Sequence, residues 1–179
     1  MDRTEIEVKL NRDRAWLLET VAALQPEDLI RGATPSEHDP SEMWSPLDHL
    51  VHLAGIERNF SAMIGRHVDG NADPVGLLRN SDGSSRTREE VMAAVHRMNE
   101  DYIRQHRGKS LAEVVALGQE ARAETLALLA GLLDAQLREK VPGAPWGDGT
   151  IGTLLALHAD HGRMHWHWVK EGFAQAAQP

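Results

Sequence analysis

Three imidazoles lie close together near the C-terminus: His158, His161 and His165, spaced three and four residues apart. They sit in residues 150–172, TIGTLLALHADHGRMHWHWVKEG. Wound at about 3.6 residues per turn, this segment puts Ile151, Leu154, Leu155, Trp168 and Val169 on one stripe, and the three histidines share it. His167 points roughly to the opposite side. A polar ring on a buried face needs a hydrogen-bond partner or a metal ion. Residues four apart on a helix stand one above the other, so His161 and His165 can reach one ion. His158 with His161, at spacing three, can do the same.

Imidazole is a common ligand for zinc and similar divalent ions, and a catalytic site keeps one position open for water or substrate. A third protein ligand has to come from another helix. His49 and His52 are the candidates, with His52 deeper in its helix and nearer the apolar stripe. His96 and His106 read as surface residues on charged segments, and His38 and His67 as loop residues. Asp160 and Glu57 are either carboxylates that orient a ring or solvated side chains.

Other chemistries find little support. Ser45 is better explained as a helix cap than as a nucleophile, and no GxSxG is present. The glycines of WGDGTIG precede a helix but lack the lysine of a phosphate-binding loop. The absence of cysteine removes disulfides, thiolate ligands and a cysteine nucleophile. It also fits a cytoplasmic protein. The net charge of −8, without a basic face, argues against a nucleic-acid partner. The charged N-terminus is unlike a signal peptide, and no apolar run is long enough for a bilayer. Ten histidines beside one tyrosine and two phenylalanines is the compositional oddity of an otherwise ordinary globular chain of 179 residues.

The elements that must position these groups are helices. Residues 4–24 keep helical spacing at Ile6, Leu10, Leu17, Val21 and Leu24, and Pro26 closes the segment. Residues 31–43 read as a loop. Ser45, Pro46 and Asp48 then form a sharp helix start. The helix that follows, to about residue 66, buries Leu47, Leu50, Val51, Ala54, Phe60 and Ile64, with His49 and His52 near the edge of that side. Residues 67–86 carry turn chemistry. Thr87 with Glu90 opens a helix with Val91, Met92, Val95 and Met98 inside, fading near Gly108. Ser110 with Glu113 opens the longest helix former, 111–137. A loop, KVPGAPWGDG, leads into the histidine helix. Strand-like alternation is absent. The pattern is an all-α, four-helix bundle occupying residues 1–179 as one domain, with the region around Gly108 separating the third principal helix from a preceding segment.

Two segments carry a resemblance. WSPLDHLVHLAGIE, residues 44–57, is similar to the tryptophan-plus-HL segment that opens the second helix of DinB/YfiT-like four-helix-bundle proteins. HGRMH, residues 161–165, resembles the HxxxH of that superfamily's last helix. The resemblance implies a three-histidine site for a divalent metal (zinc, nickel, iron or manganese) with His52, His161 and His165 as ligands. The implied activities are hydrolysis and thiol-dependent transfer or isomerisation, the latter with a low-molecular-weight thiol as cofactor. Residues 98–132 and 158–172 are also similar to the ClbS/DfsB branch, which implies metal-free, self-resistance hydrolysis of an electrophilic small molecule. His161 and Trp168 match that branch; His165 departs from it and favours the metal. A bundle that binds a small molecule or serves a stress response without catalysis is the remaining alternative. Trp44, His49, His158 and Trp168 are the candidate pocket residues. The expected partner is a small-molecule substrate, with no nucleic acid and no membrane. A homodimer is compatible with a bundle of this size, although no exposed heptad specifies one.

Overall fold

Local capping starts the long helices where the sequence places them. The computed structural model describes residues 1–36 and 39–177, so His38 lies outside the described residues. Helix α1 (Arg3–Ala22) opens on a capping box of Asp2 and Glu5, α3 (Pro46–Val68) on one of Ser45 and Asp48, α4 (Arg88–His106) on Thr87 and Glu90, and α5 (Leu111–Gly131) on Ser110 and Glu113. Helix α6 (Ile151–Ala176) is capped by the Thr150 hydroxyl, which accepts from the Thr153 amide. Between α4 and α5, Gly108 adopts a φ of 89°, a left-handed turn that costs an L side chain energy and ends the helix.

Four of these helices close a ring: α1 packs on α6, α6 on α3, α3 on α5, and α5 returns to α1. Helix α4 lies outside this ring, against α3. The fold is thus an all-α bundle whose third member is α5, with α4 as the preceding segment.

Several boundaries differ from the sequence reading. Pro26 opens a short helix, α2 (Pro26–Ile30), because its fixed φ suits a first helical position. The segment read as a loop contains a two-residue antiparallel pair, β1 (Thr34–Pro35) with β2 (Met43–Trp44), too short to show alternation. α3 continues to Val68, so His67 ends a helix instead of lying in a loop. α5 stops at Gly131, and a 3₁₀ turn at Gln136–Arg138 replaces its expected last turns. The longest helix is α6, at 26 residues against 21 for α5. Met98, expected inside, is exposed, because α4 packs mainly against α3 and lies outside the ring.

The core has two apolar clusters with a polar waist between them. Ile6, Leu10, Phe60, Leu129, Ile151 and Leu154 belong to one; Leu17, Val21, Trp44, Val51, Trp166 and Val169 belong to the other. On α1 the waist is Asp13, on α3 His52 and Glu57, on α5 Arg122, and on α6 His158, His161 and His165. All of these polar groups but His161, which is half-buried, are buried in a layer where aliphatic contact is interrupted on every helix of the ring.

Candidate metal centre

Three elements deliver the site. α6 presents His158, His161 and His165 on the face it turns to the bundle, and α3 meets it with His49 and His52. The β1–β2 pair closes one side, with Trp44 at its end. His49 and His52 are both buried, not at the edge of the α3 stripe, because Trp44 covers them: its ring centroid is 5.5 Å from that of His49 and 5.1 Å from that of His52.

His52, His161 and His165 each offer a ring nitrogen, and these three atoms lie within 4.8 Å of one another. His165 Nε2 is 3.0 Å from His161 Nε2. On its other side His165 Nδ1 is 2.7 Å from His49 Nδ1, and His49 Nε2 is 2.9 Å from the Thr34 hydroxyl. The ring of Trp168 covers His165 at 4.7 Å. Among the described residues neither ring nitrogen of His52 has a hydrogen-bond partner, although His52 is only 3 % exposed. An unpaired buried polar atom costs about 1–3 kcal/mol. Two nitrogens on one tetrahedral zinc ion stand about 3.3 Å apart, close to the His161–His165 spacing, and the partnerless ring of His52 lies beside that pair.

Electrostatics prepare the same atoms. Burial pushes His49, His158 and His161 down to about 4. It also drives His52 and His165 well below their ordinary value, with repulsion from the neighbouring imidazoles adding to the effect. At neutral pH all five rings are therefore uncharged, the form in which imidazole binds a metal.

The expected carboxylate helpers are elsewhere. Asp160 is exposed and pairs with Lys9 at 2.5 Å. Glu57 is buried against Arg122, whose Nε donates to Glu57 Oε1 at 2.5 Å and whose Nη1 donates to the Leu10 carbonyl at 2.6 Å. Neither carboxylate touches a histidine nitrogen among the described hydrogen bonds.

A cavity of about 350 Å³ opens beside the trio, between α3, α4 and α6, with His52, His158 and His161 on its wall. Phe60 and Trp146 both line it, their rings packed against each other in a tilted contact at 4.7 Å. His96, expected at the surface, is half-buried on the same wall. His106 is half-buried too, its ring against Tyr102 at 4.2 Å. Trp44, His49 and Trp168 line a different hollow, on the side of the cluster where Thr34 lies.

Several residues that shape this centre carry no sequence signal. Thr34 sits in a stretch that reads as a loop. Glu100 of α4, fully buried, accepts from Ser36 Oγ at 2.5 Å and from Trp44 Nε1 at 3.2 Å, and so fixes the tryptophan that covers His49 and His52. Gly172 lets the Ala33 carbonyl lie against α6, since a Cβ there would collide with that oxygen. Only the three-dimensional pairing of distant segments reveals these roles.

A helical ring with a histidine trio at its waist defines a class of proteins, the small all-α bundles with a candidate metal site. Over residues 37–169 the chain matches the model of the DinB superfamily, and it belongs to that family. It is also similar to an uncharacterised protein from Escherichia coli UTI89 known from a crystal structure, with a TM-score of 0.66 at 13 % identity over 99 % of this chain and 96 % of that one. At that identity the likeness shows the fold. No curated protein matches. Among the described residues no helix is long and apolar enough to cross a membrane.

Proposed function

We propose that the chain is a metal-dependent enzyme acting on a small molecule, with His52, His161 and His165 as ligands of one divalent ion. One observation carries the reading: three imidazole nitrogens from two helices converge within 4.8 Å while both nitrogens of His52 lack any partner. Zinc, nickel, iron and manganese all accept such a donor set. An ion held there supplies Lewis acidity toward a substrate oxygen, a thiol or water.

The chain's own residues do the rest. His49 accepts or donates at His165 Nδ1 and keeps that ring turned so that Nε2 faces its two partners. Trp44 and Trp168 pack against the rings and keep water from their far sides. The cavity beside His52 and His161 receives the substrate between α4 and α6, and the reaction there is hydrolysis or thiol-dependent transfer.

The test is metal analysis of the tag-free chain at measured stoichiometry. One ion per chain, lost in His52→Ala, His161→Ala and His165→Ala, is expected. A His161→Ala chain that retains the same stoichiometric ion overturns this ligand set. Turnover of an electrophilic substrate that survives exhaustive chelation points instead to a metal-free hydrolase.

A further inference from the structure

We infer that the candidate site takes an uncharged, predominantly apolar molecule with an elongated body, its polar end at His52 and His161 and its remainder lying past Phe60 and Trp146. This rests on the reading above for where the reacting end lies, but on separate observations for what the ligand is. The first is the wall of the cavity: Ile56, Phe60, Met92, Val95, Trp146 and Leu157 give it a largely apolar surface away from the histidines. Among the described residues no lysine or arginine lines it, and the one carboxylate that does, Asp160, is held by Lys9 at 2.5 Å. A phosphate, sulfonate or carboxylate on the body of a ligand would be stripped of water there with no cation to receive it, which is costly.

The second observation is continuity. A second cavity of about 400 Å³ shares Ile56, Phe60, Val95, Asn99 and Trp146 with the first and extends toward Met63 and Val75. Its one cation, Arg66, is turned to the Pro74 carbonyl, to which Nε donates at 2.8 Å. Phe60 and Trp146, packed ring on ring at 4.7 Å, line both cavities and give their shared wall an aromatic surface suited to a ring or a branched chain. The third observation is the cause of the space. Among the described helices α4 packs on α3 and makes no comparable packing with α6, which leaves the room between them that the first cavity occupies. Cavities of this size and apolar character hold drug-sized ligands. At the histidine end, both nitrogens of His52 and Nε2 of His158 have no hydrogen-bond partner among the described residues and are left for the ligand or its ion.

Two probes that differ by one group test this on the full chain. N-phenyl-1-naphthylamine is neutral, and 8-anilinonaphthalene-1-sulfonate has the same rings with an added sulfonate. The neutral probe is expected to bind one-to-one, quench tryptophan fluorescence, and bind about tenfold or more tighter than the sulfonate. Val95→Trp, which fills the junction of the two cavities, should weaken the neutral probe about tenfold while zinc uptake stays at one ion per chain. Met92→Arg, on a half-buried wall position that tolerates a long side chain, should weaken the neutral probe and strengthen the sulfonate, and it stands in for Val95→Trp if that variant fails to fold. A wild-type chain that binds the sulfonate as tightly as the neutral probe overturns the inference, and so does a neutral-probe affinity that neither variant changes. If the probe preference holds and no ion binds, the metal reading alone fails; if the ion binds and the preference is absent, this inference alone fails.

Discussion

His49 Nδ1 lies 2.7 Å from His165 Nδ1, so the two rings share one proton across the α3–α6 contact. For His165 to present a lone pair at Nε2, its Nδ1 must carry hydrogen and donate to His49. His49 then carries its own hydrogen at Nε2 and donates to the Thr34 hydroxyl, 2.9 Å away. Every atom in that chain is satisfied in the metal-binding tautomer.

Replacing His49 with phenylalanine keeps a ring under Trp44 but removes both nitrogens. Affinity for zinc should fall about 10–100-fold with stoichiometry unchanged at saturation, read by titration against a competing chelator. Gly172→Ala should shift affinity in the same direction, because it displaces Ala33 and with it Thr34. An unchanged affinity in His49→Phe removes His49 from the site.

His52 sets stability against binding. Its two buried nitrogens have no partner in the metal-free chain, so His52→Leu should raise the stability of that chain by about 1 kcal/mol, measured by urea unfolding in chelator. The same variant should lose stoichiometric zinc and the zinc-dependent rise in melting temperature. A destabilised metal-free variant would mean that His52 is a satisfied core residue.

Stability of the metal-free chain should depend on pH with a definite sign. His49, His158 and His161 are held down to about 4 in the folded state by burial, whereas in the unfolded chain they titrate near about 6.5. Between these values the unfolded state binds more protons. Stability is therefore complete above about pH 6.5 and falls as pH drops toward about 4, with a limiting slope of about 1.4 kcal/mol per pH unit for each group. Urea midpoints at pH 7.5 and pH 5 should differ clearly; equal midpoints would show that the rings are not buried as described.

The Glu57–Arg122 pair belongs to the scaffold. Glu57→Gln leaves Arg122, and Arg14 at 3.9 Å from Glu57, facing a neutral amide in the waist. Breaking one partner of a buried pair costs about 3–5 kcal/mol, so the variant should melt much earlier. Its zinc stoichiometry at low temperature should remain one. Loss of the ion in a folded Glu57→Gln chain would place Glu57 in the site instead.

Helix starts are legible in this chain because capping is a contact between neighbours: Asp48 reaches back to the Ser45 amide at 2.8 Å, and Glu90 to the Thr87 amide at 2.7 Å. The stripe of α6 is legible for the same reason, since helical periodicity alone places His158, His161 and His165 on the buried side. The distance from His52 to that stripe is not local. It depends on α3 packing against α6 with the apolar clusters above and below in register, and the resemblance of residues 44–57 and 161–165 to a known family supplied what spacing could not. Thr34, Glu100 and Gly172 show the limit most clearly. Each has an ordinary residue type in an ordinary setting along the chain, and each acquires its part only when a hairpin, α4 and the end of α6 meet around Trp44 and His49. The sequence by itself determined where the long helices start and the main apolar stripe of each, because those follow from contacts within a few residues. Only the tertiary structure decided which polar groups meet at the waist and which cavity opens beside them, because those follow from packing between helices far apart in the chain.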